Sequence, residues 1–153
     1  MRVAVISDVH GNAFALRAVL EDFRAEGADA IINLGDNLAG PVDPLGTAEI
    51  LTGLEALNVA GNHDRWMLAT RGQAKVDCFA TDAIRPQHQA WLRALPATAV
   101  FENEVFCCHG TPQSDDGMRI EPAVSVPRPA GQTPAAMAAA VPPELPPAMR
   151  LGS

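Results

Sequence analysis

The sequence predicts an α/β fold, a βαβ sheet flanked by helices, and three observations predict it. The chain opens on an unbroken apolar run, Val3-Ala4-Val5-Ile6, which suits a parallel strand buried on both faces. Leu16, Val19, Leu20 and Phe23 then fall at i, i+3, i+4 and i+7, one apolar helical stripe, ahead of a second apolar run from Ala28 to Leu34. Three apolar runs also break in the same way, into Gly, Asn, Asp and His: Ile6 to Asn12, Leu34 to Asn37, and Val59 to Asp64. Strands that end at one place present their loops together, where open α/β sheets bind ligands.

Asn12 caps the first helix and Gly27 stops it. Strand, helix and strand at this spacing make a right-handed crossover, so Asp8 and Asp36 lie just past the ends of adjacent strands. Ala39 to Gly46, rich in Gly, Pro and Asp, is a loop. Thr47 caps a helix to about Gly53. Leu57 to Ala60 is a third strand, ended by Gly61-Asn62-His63-Asp64. Arg65 to Thr70 reads as helical and Arg71 to Asp77 as irregular. Pro86 starts a helix that carries Ala90, Trp91, Leu92 and Leu95 and is closed by Pro96. Thr98 to Phe101 and Glu104 to Cys108 flank Glu102-Asn103 as a hairpin, which leads into His109-Gly110-Thr111-Pro112. Residues 1–118 therefore read as one domain. From Arg119 to Ser153 Ala and Pro dominate, and proline at this density blocks both helices and ladders, so 119–153 reads as a disordered or weakly packed tail.

Composition narrows the function. There are 18 acids against 11 bases, a net charge of −7, which argues against a basic face that grips nucleic acid. An acidic surface suits a phosphate-handling site if metal ions supply the positive charge. The three cysteines, Cys78, Cys107 and Cys108, have neither disulfide nor zinc spacing and suit a reducing compartment. There is no run of about 18 apolar residues, so no membrane span is expected. The amino terminus runs straight into a strand without signal-peptide features. The expectation is a cytoplasmic protein acting on a small phosphoester, with a homo-oligomer left open.

The residues at the strand ends form one donor set: Asp8, His10, Asp36, Asn62 and His109. Carboxylates, an amide oxygen and imidazoles together suit Mn²⁺, Fe²⁺, Zn²⁺ or Co²⁺ better than Ca²⁺. Asp36, after the central strand, is placed to be shared by two divalent ions, of which Mn²⁺ is favoured. Two such ions about 3.5–4 Å apart clamp a phosphoryl group and activate water for in-line attack. His63 is a candidate proton donor to the leaving oxygen, with Asp64 orienting its ring. Each residue has a plainer reading when taken singly. Asp36 then is a turn former, Asn62 a helix cap, His63 a loop histidine and His109 a buried, satisfied one. His88 sits on a polar helix face, Cys107 and Cys108 belong to a strand, and Trp66 and Trp91 pack.

In order and spacing, Asp8-x-His10, Gly35-Asp36, Gly61-Asn62-His63-Asp64 and His109-Gly110 resemble the calcineurin-like metallophosphoesterase family. The resemblance covers about Met1 to Gly117. Asp36-Asn37-Leu38-Ala39-Gly40-Pro41 and Trp91-Leu92-Arg93-Ala94-Leu95-Pro96 look like its small bacterial phosphodiesterase branch. The resemblance implies that Asp8, His10 and Asp36 hold one metal, that Asp36, Asn62 and His109 hold the second, and that His63 is the catalytic histidine. The implied reaction is hydrolysis of phosphomonoesters or phosphodiesters.

The family pattern closes with Gly-His-x-His, one histidine to each metal. The histidines here are His10, His63, His88 and His109, and none follows His109. Each metal keeps three protein ligands, and impaired activity is expected. The family's closing strands also have no counterpart, so residues 1–118 read as an incomplete metallophosphoesterase sandwich with its second sheet partly missing. A truncation or frame shift near Gly117 to Arg119 would account for the abrupt change in composition. The competing reading is a non-catalytic scaffold of the same fold that binds a protein partner. A nucleotide-binding α/β module is set aside, because the first turn lacks both Gly-x-Gly-x-x-Gly and a Lys-bearing phosphate loop.

Overall fold

The computed structural model describes residues 1–69 and 74–116, so the tail expected at 119–153 lies outside the described residues. Three strands, β1 (Val3–Ile6), β2 (Ala30–Asn33) and β3 (Leu57–Asn58), form a parallel sheet in the order β1-β2-β3. Val3 pairs with Ala30 and Ile6 with Asn33, and Asn33 pairs in turn with Asn58. β2 is thus central, as the sequence predicts for the strand leading to Asp36. β4 (Thr98–Phe101) and β5 (Val105–Cys108) make an antiparallel hairpin, the second and smaller sheet. Glu102 and Asn103 turn it with φ of 51° and 58°, a left-handed pair that matches strand twist. The whole is a parallel sheet flanked by helices, with a small antiparallel hairpin beside it.

The helices are α1 (Ala13–Ala25), α2 (Pro44–Gly53), α3 (Asn62–Met67), α4 (Lys75–Ala83) and α5 (Pro86–Ala94). Asn12 Oδ1 caps α1 by accepting from the Ala15 N–H at 3.0 Å. On its stripe Leu16 and Leu20 are buried and Phe23 packs beside them, whereas Val19 is exposed. α2 begins three residues before the expected Thr47. Asp43 accepts from the Gly46 N–H at 2.9 Å, and Pro44 fits a first turn that needs no N–H, so the cap lies ahead of the proline. α4 replaces part of the stretch expected to be irregular. Its first turn is held by Asp77, which reaches back to the Ala74 N–H at 3.3 Å. His88, expected on a polar face, is buried, and its Nδ1 accepts from the Arg85 N–H at 3.3 Å to close the start of α5.

The larger core joins Ile6, Leu16, Leu20, Leu38, Leu51, Met67, Ile84 and Leu92 between one face of the sheet and the helices. The smaller joins Ile32, Val59 and Cys107, with Ala99 and Phe101 packed against them, under the hairpin. The hairpin cluster is centred on residues of β2, of β5 and of the segment after β3. β1 is therefore not buried on both faces: Ala4 and Ile6 are covered, and Val5 is half exposed. Among the described residues no helix is long and apolar enough to cross a membrane.

Candidate metal centre

The three parallel strands deliver their loops to one point. Beyond the last ladder pair, the loops after β1 and β2 stay zipped. The Asp8 N–H donates to Gly35 O, His10 N–H to Asp36 O, and Gly11 N–H to Asn37 O, each at 3.0 Å. Asp8, His10 and Asp36 all adopt left-handed backbone, at φ of 55°, 46° and 56°. Such conformations cost energy in L-residues and persist where the surroundings over-determine them. The third loop fits only because Gly61 has no side chain, since a Cβ there would collide with Asp36 Oδ1.

Within this junction Asp8, His10 and Asp36 each offer a donor atom within 4.8 Å of the others. His10 Nε2 lies 3.7 Å from Asp8 Oδ1 and 3.6 Å from Asp36 Oδ2. On the other side of the same carboxylate, His109 Nε2 lies 3.5 Å from Asp36 Oδ2 and 3.0 Å from Asn62 Oδ1. All five sequence-predicted donors are brought together, in two groups that share Asp36. Asp36 is buried while Asp8 is exposed, so the pair of groups opens to solvent on the Asp8 side. Asp36 Oδ1 is occupied by the His63 N–H at 2.9 Å, which leaves Oδ2 facing both imidazoles.

The tautomers follow from the outer partners. His10 Nδ1 sits 2.8 Å from Ala39 O, and His109 Nδ1 sits 2.9 Å from Leu34 O. A carbonyl oxygen only accepts, so both Nδ1 atoms carry a proton, and in the neutral ring, the form that ligates a metal, each Nε2 then presents a lone pair. Asp36 Oδ2, His109 Nε2 and Asn62 Oδ1 are then three lone-pair donors at close quarters. That arrangement repels itself without a cation and suits one with a cation. An outer acceptor that fixes the ring is also what metal-ligating histidines ordinarily have. The residues therefore fit divalent ions by the chemistry of the donor set.

His63 stands at the rim, its ring 5.1 Å from that of His10 and edge-on to Trp66 at 4.6 Å. Its orienting partner is not Asp64. Side chains at successive helical positions do not face each other, and His63 and Asp64 are neighbours on α3. Asp77 of α4 takes the part instead, its Oδ1 2.9 Å from His63 Nδ1 and its side chain almost fully buried. Asp64 points inward. It accepts from the backbone N–H groups of Asp36 at 3.0 Å, Asn37 at 2.9 Å and Gly61 at 2.9 Å, and from Asn37 Nδ2 at 2.7 Å. Burial pushes its carboxyl above the usual range, while the Gly61 and Asn37 donors pull it down and the Asp36 charge adds to the rise. Asp64 thus ties the loops after β2 and β3 into one piece beneath Asp36.

Sequence reasoning missed Asp77 and the buried amides Asn33 and Asn37. Asn33 Nδ2 donates to Asn37 Oδ1 at 2.5 Å and to Asn58 Oδ1 at 3.0 Å, behind the Asp36 turn. Asn33 carried one available signal, an amide that ends the apolar run Ala30-Ile31-Ile32 on a central strand.

Comparison with known proteins adds to this geometry. The family profile described as calcineurin-like phosphoesterase matches residues 1–133. An uncharacterised protein of Methanocaldococcus jannaschii is 40% identical over 77 residues, 50% of this chain and 30% of that protein. A metallophosphoesterase from Sphaerobacter thermophilus superposes with a TM-score of 0.63 at 29% identity, over 75% of this chain and 49% of that one. A protein solved as a candidate diadenosine tetraphosphatase superposes with a TM-score of 0.55 at 31% identity, over 71% of this chain and 50% of that one. The chain thus spans about a third of the curated relative's length and half that of the solved structures.

Proposed function

From the premise that this chain belongs to the calcineurin-like phosphoesterase family, we propose that it hydrolyses phosphomonoesters or phosphodiesters at a two-metal site bridged by Asp36. The observation that carries the reading is the placement of His10 Nε2 and His109 Nε2 on either side of Asp36 Oδ2, at 3.6 and 3.5 Å. Asp8, His10 and Asp36 would hold one ion, and Asp36, Asn62 and His109 the other. Mixed oxygen and imidazole donors suit Mn²⁺, Fe²⁺, Zn²⁺ or Co²⁺, and Mn²⁺ is the ion to try first. Two such ions supply Lewis acidity toward a phosphoryl group and lower the pKa of water.

The chain's own residues do the rest. Asp36 fixes the spacing of the two donor groups through its buried carboxylate. His63 keeps its Nδ1 proton on Asp77, which assigns proton exchange to Nε2, the nitrogen that would protonate a leaving oxygen. Asp64 acts through Asp36 and touches no reacting atom. A small phosphoester is the substrate class, and a reducing, cytoplasmic setting fits the three free cysteines.

Among the described residues the donor set offers each ion three protein ligands, against four where the family's Gly-His-x-His is present, so residues 1–153 by themselves should turn over more slowly than a relative carrying the motif. That shortfall is the observation that favours the second reading, a non-catalytic scaffold. The pairing of His63 with a buried carboxylate disfavours it, because a scaffold has no need of an oriented rim histidine. The test is hydrolysis of an aryl phosphate and an aryl phosphodiester with and without Mn²⁺, with metal content measured on the same sample. Metal-stimulated release that stops on chelation supports the enzyme, bound metal without hydrolysis supports the scaffold, and hydrolysis that survives chelation overturns the two-metal site.

A further inference from the structure

We infer that the Arg65–Asp115 ion pair is a clasp that positions His109, holding the turn after β5 against α3 so that His109 and Asn62 face the same point. This rests on the proposed two-metal reading for its consequence, though not for its geometry. Arg65 lies on α3, three residues after Asn62 and two after His63. Its guanidinium grips the carboxylate at both oxygens, with Nε donating to Asp115 Oδ2 at 2.9 Å and Nη2 to Oδ1 at 2.6 Å. A two-pronged contact of this kind fixes orientation as well as distance.

The other end of the clasp is a compact turn. Gly110 takes a left-handed φ of 68°, and Thr111 and Ser114 exchange backbone hydrogen bonds at 2.8 and 3.2 Å. Asp115 follows at once. The segment that begins at His109 therefore curls back on itself and presents Asp115 to the helix that carries Asn62. α3 and this turn meet at Asn62–His109 and at Arg65–Asp115. The first contact is a single Nε2–Oδ1 approach at 3.0 Å, and whether it attracts depends on the proton at Nε2. The second is a two-pronged attraction whatever the state of that ring. The Arg65 hydrogen bond and charge draw the Asp115 carboxyl below the usual carboxylate range, as expected of a carboxylate held by a guanidinium.

The two side chains are 54% and 30% exposed, and pairs at that exposure add little to stability. A merely structural pair would change little on removal. A positioning pair would leave the fold intact and weaken one ion selectively. The test uses the full chain titrated with Mn²⁺ by calorimetry, beside Arg65→Ala, Asp115→Ala, Arg65→Lys and the exchanged pair Arg65→Asp with Asp115→Arg. Expected is an unchanged melting temperature with about 10-fold weaker binding of one ion in both alanine variants, the lower end of what an outer partner is worth. Arg65→Lys should fall between native and alanine, and the exchange should recover affinity.

A second measurement reads the metal-free protein. The His109 Nδ1–H resonance, protected by Leu34 O, should be lost in both alanine variants and return in the exchanged one. If native protein binds no Mn²⁺ while the resonance behaves in this way, the metal reading fails and the clasp stands. If the resonance persists in both alanine variants, or both ions bind them as tightly as native, the clasp is overturned.

Discussion

Asp36 Oδ2 sits between two imidazole nitrogens, His10 Nε2 at 3.6 Å and His109 Nε2 at 3.5 Å, although the two histidines are 99 positions apart in the chain. One carboxylate oxygen thus joins the loop after β1 to the end of β5. Asp36→Asn removes the shared charge and sets an amide between the rings. Binding of both ions should weaken by more than about 100-fold, beyond the upper end of what an outer partner is worth. Asp8→Asn should weaken only one. Calorimetric titration with Mn²⁺ separates the two results, and equal losses in the two variants would contradict a bridging role.

The site is legible in the sequence where a residue's place follows from its strand. A carboxylate just past the middle of three parallel strands lies near the neighbouring strand ends, which fixes Asp8, Asp36 and Asn62 together. The role of Asp64 is not legible in that way. Adjacency to His63 suggests contact, but on a helix successive side chains diverge, and only the tertiary structure shows Asp64 turned inward. Asp77 is hidden for a different reason. Ala74 brings no side-chain oxygen to mark the start of α4, and the pairing with His63 spans 14 positions. β1 misleads in a third way. An apolar run states that a strand tolerates burial, while what covers each face is decided by how far the hairpin reaches, and Val5 stays half exposed.

Asp77→Asn tests the His63 pairing. The amide keeps the size of the carboxylate, so the protein should fold, but it presents a neutral acceptor or a donor to Nδ1. A positioned acid–base group contributes about 10²–10⁴-fold to rate. If His63 protonates the leaving oxygen, kcat should fall within that range while Mn²⁺ affinity stays unchanged. The loss should be smaller for a substrate with a good leaving group, such as a nitrophenyl ester, than for an alkyl ester, because an acidic leaving group needs less help. An equal loss on both esters would remove His63 from proton transfer.

Asp64→Ala tests the tie beneath the site. The substitution orphans the buried N–H groups of Asp36, Asn37 and Gly61, each worth about 1–3 kcal/mol when left unpaired. Urea unfolding should show a loss of several kcal/mol, larger than that of His63→Ala, which takes one partner from the buried Asp77 carboxylate. A reversal of that order would mean that Asp64 serves the chemistry and His63 the fold.

Metal removal should be visible in stability without any substrate. Asp8, His10, Asp36, Asn62 and His109 converge only in the folded chain, so an ion that binds them stabilises the folded state alone. At a free concentration 100 times its dissociation constant, one site contributes about 2.7 kcal/mol. For a domain of this size that raises the melting temperature by several degrees. Chelation should lower the melting temperature, Mn²⁺ should restore it, and Ca²⁺ should do so less, because imidazole donors suit Ca²⁺ poorly. Asp36→Asn should lose the response and Asp8→Asn should keep part of it. A melting temperature indifferent to Mn²⁺ in the native chain would show that the two donor groups, close as they are, hold no ion.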